Sequence, residues 1–227
     1  MEPDILYAVR HGEVNAALRL SLRSLGNLPH RRVFIAGFCP QWVRGVTVIE
    51  TPRRANKFDS IEENVRRGLR HPEIGDEVVY MNDDFYITTP IDAVPVTHGG
   101  PIDQHNGQQE LKTRMRATKR ALTETVLPSC MPLLTYDGVH MPLPLELGVA
   151  ITCMEMIPQG LLWRTWYGNL HGIGGEQVPN TKYKGTHPVP TDLPTFLSTN
   201  AGGLKVLRKQ LEDILPRNCE YIVEGAP

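Results

Sequence analysis

Residues 77–84 read Glu-Val-Val-Tyr-Met-Asn-Asp-Asp, an apolar run that ends in one amide and two carboxylates. A short apolar run closed by turn-forming residues is typical of a strand buried on both faces, as in a parallel sheet. We therefore predict a strand over Glu77–Met81, with Asn82, Asp83 and Asp84 at its carboxyl end. Ligands of open α/β sheets bind at that end of the strands, so the same stretch predicts where a site would lie.

The segments before this strand alternate between strand and helix. Apolar runs predict strands over residues 5–9, 32–36 and 46–50. Helical spacing and charges suited to helix ends predict helices over 16–25, with Asn15 as the N-cap, and over 60–70. This order predicts an α/β fold whose mainly parallel sheet is flanked by helices. The polar loop of residues 10–13 would then meet Asp83 and Asp84 at one edge of the sheet.

The second half of the chain is less regular. It contains predicted helices over residues 110–127, 146–156 and 204–215, a proline-rich segment over 128–144, and polar loops over 99–109 and 171–190. With 227 residues, the chain is long enough for one α/β domain with a substantial core, and we predict a single domain.

Composition narrows the class of protein. Hydrophobic residues make up 41% of the chain and charged residues 22%, as in an ordinary globular protein. The four cysteines form no Cys-x-x-Cys pair, so neither a zinc site nor a disulfide framework is predicted. Apolar runs stay short of the roughly 20 residues that span a bilayer, and the first residues are unlike a signal peptide. We expect a cytoplasmic protein without membrane insertion.

The net charge of the chain bears on nucleic-acid binding, and one segment is much more basic than the rest. A net charge of −1 argues against a nucleic-acid-binding field over the whole surface. Residues 112–120 nevertheless read Lys-Thr-Arg-Met-Arg-Ala-Thr-Lys-Arg. This segment is either a solvated helix face or a binding surface for a polyanionic acceptor or for phosphates.

Asp83 and Asp84 are candidate metal ligands. Two adjacent carboxylates at a strand end repel each other unless a cation or another partner compensates them. A divalent cation such as Mg²⁺ or Mn²⁺ takes carboxylate and phosphate oxygens together and would stabilise charge on a leaving nucleotide. The alternative is structural: one Asp caps the next turn while the other is solvated.

Other candidates are a histidine and several cations. His140 lies in a loop and has the chemistry of a general base, although a structural histidine fits the same position. Arginine forks match phosphate oxygens, which makes Arg10, Arg54 and Arg164, together with Lys57, candidates for diphosphate contacts. The pair Asn56-Lys57 falls between the third strand and the second helix, where a donor base or ribose would lie.

Several segments, in order along the chain, resemble motifs of the Stealth proteins. Residues 18–25 resemble their "L-R-x-S-L-R-S-L" helix, and residues 80–85 resemble their "Y-L-N-D-D" strand end. Residues 139–142 resemble the "H-x-P" segment, and Arg164 falls where the family has an arginine after it. Residues 196–221 resemble the C-terminal region of the family. The resemblance covers about residues 4 to 222.

This resemblance implies a glycosyltransferase A-like (Rossmann-like) fold that binds a nucleotide-sugar, expected to be a UDP-sugar, with Mg²⁺ or Mn²⁺. It implies residues 1–90 as a donor-binding half and 91–227 as an acceptor and catalytic half. Asp83 or Asp84 would hold the metal, Asp84 and His140 would be catalytic, and Arg164 would contact phosphate. The matching positions Val9, Asn82 and Asn200 complete the expected donor contacts.

Departures from the family pattern leave the reaction open. Arg10 and His11 replace residues of the family's opening motif, and Ala201 stands where an aspartate follows Asn200. Transfer of a sugar and transfer of a sugar-1-phosphate therefore both remain candidate reactions, and the acceptor is a glycan, a protein or a modified nucleic-acid base. The alternatives are a non-catalytic binding protein on a degenerate transferase fold, and a nucleotidyltransferase.

Overall fold

The computed structural model describes residues 2–10, 15–54, 56–104, 109–125 and 132–223. Within these ranges the strands are β1 (Asp4–Val9), β2 (Val33–Gly37), β3 (Thr47–Ile49), β4 (Glu77–Met81), β5 (Phe85–Ile87), β6 (Thr97–His98), β7 (Leu143–Glu146), β8 (Glu176–Gln177), β9 (Lys182–Tyr183) and β10 (Phe196–Thr199). The helices are α1 (Ala16–Ser24), α2 (Lys57–Leu69), α3 (Gln109–Thr125), α4 (Leu147–Met156), α5 (Trp163–Leu170) and α6 (Ala201–Ile214).

The central sheet has the strand order β3-β2-β1-β4-β7. The first four strands are parallel, and β7 runs antiparallel to β4 at one edge. In the register of the sheet, Val9 pairs with Gly37 and Tyr7 pairs with Met81. The carboxyl ends of β1 and β4 therefore lie at the same edge. The predicted α/β fold with a mostly parallel sheet flanked by helices is confirmed, and it is compatible with a Rossmann-like fold.

Both faces of this sheet are buried, because successive side chains of a strand point to opposite faces. All six residues of β1 are buried. Leu6 and Ala8 belong to the core that includes residues of α2, α3, α4 and α5, whereas Ile5, Tyr7 and Val9 belong to the core under α1. This two-sided burial explains why the strands of the sheet are continuous apolar runs in the sequence.

A second, smaller sheet has the order β5-β10-β9, with β10 antiparallel to β5 and parallel to β9. Ser198 in β10 pairs with Phe85 on one side and with Lys182 on the other. Because β5 begins directly after Asp84, this sheet places strand β9, which lies nearly 100 residues further along the chain, close to the end of β4.

The structure departs from the sequence predictions at several elements. Helix α2 begins at Lys57, three residues before the predicted start, because the side chain of Asn56 accepts a hydrogen bond from Phe58 N and caps the helix. Helix α6 likewise begins at Ala201 rather than at 204, because Asn200 caps it. The loop predicted over 171–190 contains the short strands β8 and β9, and helix α5 was not among the predicted helices. Parts of other predicted segments, namely 11–14, 105–108 and 126–131, lie outside the described residues.

In the part of the chain that the structure describes, no helix combines the length and the apolar character needed to cross a membrane.

Candidate functional site

A cleft of about 780 Å³ lies at the carboxyl ends of β1 and β4. Its walls come from the start of α1, the turn after β4, strand β9 and the start of α6. The charged residues that line it are Arg10, Asp83, Asp84, Lys182, Lys205 and Arg208. The structure thus brings Arg10, Asp83 and Asp84 together, as predicted from the strand ends, and adds cations that the sequence did not indicate.

Asp83 is fixed by the cap of helix α1. Its Oδ2 accepts a hydrogen bond of 2.7 Å from Nδ2 of Asn15, whose own Oδ1 accepts from Leu18 N at 3.0 Å. Burial raises the pKa of Asp83, and the charge of Asp84 raises it further, while the Asn15 bond and the charge of Arg10 lower it. Ionised Asp83 is therefore held at an energetic cost that an added cation would relieve.

Asp84 is paired with a lysine from the small sheet. Its Oδ2 lies 2.7 Å from Nζ of Lys182, and the Asp84 and Lys182 side chains are 22% and 18% exposed. The two residues are 98 positions apart in the sequence. Lys182 was missed because it lies in a segment predicted as a long polar loop, and only the pairing of β9 with β10 brings it to the cleft.

The start of α6 forms the opposite wall. Asn200 caps this helix by accepting a hydrogen bond from Gly203 N at 2.7 Å, and it lines the cleft beside Ala201. The N-terminus of a 14-residue helix carries partial positive charge that favours anions. Asn200 therefore lies where it was predicted, with its side-chain oxygen engaged in capping.

Three predicted donor contacts lie elsewhere. Arg54 is 3.5 Å from Glu63 and lines a separate cleft beside α2. Asn56 caps α2, and Lys57 lies 3.9 Å from Glu110 and over the ring of Phe58. None of the three is among the described residues that line the Asp83 cleft. Asn56 and Lys57 are taken up by the start of α2, which begins earlier than expected, and Arg54, two residues before the cap, lies beside Glu63 of the same helix.

Val9 is also not a residue of the cleft. Its side chain is buried in the core, and its carbonyl accepts hydrogen bonds from Phe38 N at 3.1 Å and from Nδ2 of Asn64 at 2.9 Å. The side chain of Asn82 is half-buried and accepts a hydrogen bond from the hydroxyl of Tyr80. Its amide thus holds the turn that presents Asp83 and Asp84.

Arg164 lies beneath this turn. It is 5% exposed, and one guanidinium nitrogen donates to the carbonyl of Met141 at 2.7 Å. The guanidinium carbon lies 5.8 Å from the ring of Tyr80 and 5.9 Å from that of Phe85. Burial lowers the pKa of Arg164, while the charge of Asp137 raises it. Its Nε has no hydrogen-bond partner among the described residues, which leaves a buried donor for a ligand or water to satisfy.

His140 is held in an uncommon backbone conformation near strand β9. Its φ angle is +55°, the only positive φ of a non-glycine residue in the described ranges. The His140 carbonyl accepts a hydrogen bond from Oγ1 of Thr181 at 2.8 Å, one residue before Lys182. Such a conformation costs of order 1 kcal/mol and is often found at functional sites. His140 is therefore tied to the wall of the cleft without being one of the described residues that line it.

The basic segment of residues 112–120 forms part of α3, and most of its charges are already engaged. Arg114 lies 3.8 Å from Glu110, Lys119 pairs with Asp103, and Arg120 pairs with Glu124. These contacts favour the interpretation of this segment as a solvated helix face.

The site therefore consists of two carboxylates and four cations that line one open cleft, with Lys182 paired to Asp84. Within the described residues, no group of three or more histidine, cysteine or acidic side chains could hold a metal by itself. The arrangement suits a polyanion such as a diphosphate, which Arg10, Lys182, Lys205 and Arg208 would neutralise. No model of a known protein family matches this chain, and no curated protein matches it.

Proposed function

We propose that the protein is a transferase that moves a sugar, or a sugar-1-phosphate, from a nucleotide-sugar to an acceptor hydroxyl. The observation that carries the proposal is the pair Asp83 and Asp84 at the carboxyl end of β4, in a cleft whose other charges are cations. A glycosyltransferase A-like fold is part of the proposal. It is supported by the mostly parallel sheet and by the ordered Stealth-like motifs.

The carboxylates fit a divalent cation that is shared with a substrate. Mg²⁺ is usually bound through one or two carboxylates together with substrate phosphates, and Asp83 and Asp84 supply two carboxylates at an open cleft. We propose that these two residues hold Mg²⁺ or Mn²⁺ when the donor is bound. The cation would supply positive charge where negative charge develops on the leaving nucleotide.

The protein's own cations have separate roles. Lys182, which pairs with Asp84, would leave this carboxylate and bind a donor phosphate instead. Arg10 is exposed and lines the same cleft. The start of α6 offers its positive end to the same phosphates. These groups hold the diphosphate and stabilise the charge of the departing nucleotide.

The two reaction versions differ in the atom attacked. In glycosyl transfer, the acceptor oxygen bonds to the anomeric carbon, the bond from that carbon to the phosphate oxygen breaks, and a nucleoside diphosphate leaves. In sugar-1-phosphate transfer, the acceptor oxygen bonds to the sugar-proximal phosphorus, the bond from that phosphorus to the oxygen bridging the two phosphates breaks, and a nucleoside monophosphate leaves. In both versions we assign the acceptor's proton to His140, whose loop is attached to β9.

Two observations favour a second candidate function, a binding protein without catalysis. The ammonium of Lys182 lies on Asp84, where a catalytic cation would be expected, and Ala201 replaces a family carboxylate. In that case the cleft binds a nucleotide or nucleotide-sugar through its cations, without turnover and without a metal.

The test is donor turnover. The protein is incubated with Mn²⁺ or Mg²⁺ and a panel of nucleotide-sugars, and the released nucleotide is identified by mass spectrometry. Nucleoside diphosphate release indicates glycosyl transfer, and monophosphate release indicates sugar-1-phosphate transfer. The matched variants are Asp84→Asn and Asp103→Asn, since Asp103 also pairs with a lysine but lies on the surface away from the cleft. Loss of turnover in both variants, or neither turnover nor metal-dependent donor binding in the wild type, would count against the proposal.

A further inference from the structure

A second concave surface continues directly from the cleft. It has a volume of about 1120 Å³ and is lined by five arginines and a tryptophan: Arg19, Arg23, Arg44, Arg208, Arg217 and Trp42. We call it the arginine groove. The cleft and the arginine groove share Asn15, Ala16 and Arg208, so they form one continuous surface. The groove alone is larger than a typical small-molecule site of about 300–1,000 Å³.

The charge of this surface is opposite to that of the chain. The described residues that line the cleft and the groove include eight cations and five carboxylates, whereas the whole chain carries a net charge of −1. The carboxylates are Asp83 and Asp84 in the cleft and Glu212, Asp213 and Glu220 in the groove. A concave surface with an excess of one charge attracts ligands of the opposite charge.

Two groove arginines use their hydrogen bonds on neutral groups, so that their charge is kept. Arg23 donates to the carbonyls of Glu212, Leu215 and Pro216, and Arg44 donates through Nε to the carbonyl of Glu220. Arg208, by contrast, pairs with the carboxylate of Glu212 at 2.8 Å.

An aromatic ring stands in the wall of the groove. Trp42 is half-buried, and the guanidinium carbon of Arg19 lies 5.4 Å from the centre of its ring. The carbonyl of Trp42 accepts a hydrogen bond from Val223 N at 2.9 Å, and Arg44 N donates to the carbonyl of Tyr221 at 3.0 Å. The backbone that carries the ring and Arg44 is therefore fixed against the C-terminal segment.

We propose that the arginine groove binds single-stranded nucleic acid, with phosphates on the arginines and a base stacked on Trp42 or on the guanidinium beside it. Grooves of this class combine cations along the backbone with aromatic platforms for bases, and arginine serves both purposes. A strand in the groove reaches the cleft through Arg208. The further step, that a nucleotide of this strand is the acceptor of the sugar, rests on the proposed function, whereas the binding itself does not.

The test is the anisotropy of a fluorescently labelled 12-nucleotide DNA strand titrated with the full chain at several salt concentrations. The groove variant is Arg44→Ala combined with Arg217→Ala, both of which are exposed. The control variant is Arg116→Ala combined with Arg120→Ala on α3, which removes the same charge from another exposed surface. Thermal melts of both variants report whether they fold.

We expect saturable binding by the wild type that weakens as salt increases. For single strands the slope of log K against log salt changes by about 0.7 per phosphate contact, which corresponds to about fivefold in affinity per contact at 0.1 M salt. The groove variant should therefore bind about 25-fold more weakly, with a slope smaller by about 1.4. The control variant should bind as the wild type does. An equal loss in both variants, or no saturable binding by the wild type, overturns the proposal.

A second comparison separates nucleic acid from other polyanions. An abasic strand of the same length keeps the phosphates and removes the bases, so it should bind several-fold more weakly, and Trp42→Ala should abolish that difference. Equal binding of the two strands to the wild type would mean that the groove accepts any polyanion, and the assignment to nucleic acid would fail. Donor turnover is measured separately: DNA binding without metal-dependent donor binding would support the proposal for the arginine groove and contradict the proposed transferase function.

Discussion

Replacing Lys182 by methionine tests whether this lysine occupies the position of a cation at the acidic pair. The change keeps most of the apolar stem and removes the ammonium that lies 2.7 Å from Asp84. A divalent cation that binds Asp83 and Asp84 must displace this ammonium or share the carboxylate with it. We therefore expect Lys182→Met to bind Mn²⁺ more tightly than the wild type does.

The magnitude follows from the exposure of the ion pair. Its two side chains are 18% and 22% exposed, between a surface pair, worth about 0–1 kcal/mol, and a buried pair, whose disruption costs about 3–5 kcal/mol. About 1.5 kcal/mol is a reasonable intermediate, and 1.4 kcal/mol corresponds to a tenfold change in an equilibrium constant. The Mn²⁺ affinity should therefore rise about tenfold. Without metal, the melting temperature should fall by about 3–6 °C, and saturating Mn²⁺ should restore it.

The assay is electron paramagnetic resonance of free Mn²⁺ during a protein titration, with melting curves recorded on the same samples. The control is Lys119→Met, because Lys119 contacts both carboxylate oxygens of Asp103 at 2.6 Å but lies outside the cleft. Unchanged or weaker Mn²⁺ binding by Lys182→Met would refute the displacement reasoning. Absence of Mn²⁺ binding in both the wild type and Lys182→Met would refute the assignment of Asp83 and Asp84 as metal ligands.

Four further substitutions, at three residues, probe the acidic pair and its surroundings. Asp83→Asn should raise stability at pH 7 and weaken Mn²⁺ binding. Because the pKa of Asp83 is raised in the folded protein, the wild type loses stability as the pH rises from the ordinary carboxyl range through the folded-state pKa. Melting temperatures of variant and wild type, measured from pH 3 to 8, should therefore converge at the acid end, and a constant difference would contradict this explanation. Asn15→Ala removes the cap of α1 and the partner of Asp83, so the free energy of unfolding should fall by about 1 kcal/mol. Asn15→Asp keeps a cap but adds a negative charge beside Asp83, so an NMR titration should show the pKa of Asp83 raised further. His140→Asn keeps a residue that tolerates positive φ, so the melting temperature should hold while turnover falls about 10²–10⁴-fold; unchanged turnover would remove His140 from the mechanism.

The central sheet and the acidic turn could be predicted from sequence because their signals are local. The strand over Glu77–Met81 is an apolar run bounded by polar residues, and Asn15 stands at the start of a helical pattern. Burial on both faces makes such strands distinctive, and a short polar side chain before a helix is a direct capping signal. These two elements alone determine the position of Asp83.

The rest of the site could not be predicted because it depends on pairing between distant segments. Strand β9 has two residues, and its side chains are only half-buried, so neither its length nor its hydrophobicity distinguishes it from a loop. Lys182 reaches Asp84 only through the pairing of β9 with β10 and of β10 with β5. The late start predicted for α2 has the opposite origin: the local capping signal at Asn56 was not recognised, so residues 57–59 were assigned to the loop before the helix.

The sequence separation of the contacts that build the cleft has a consequence for folding kinetics. Strands β1 to β4 pair within the first 81 residues, whereas Asp84 meets Lys182 across 98 positions and Arg23 meets the end of α6 across about 190. Long-range contacts are formed late because loop closure must be completed before they contribute. During synthesis the parallel sheet can therefore form before the opposite wall of the cleft has left the ribosome. We expect hydrogen-exchange pulse labelling during refolding to protect β1 and β4 before β10 and α6.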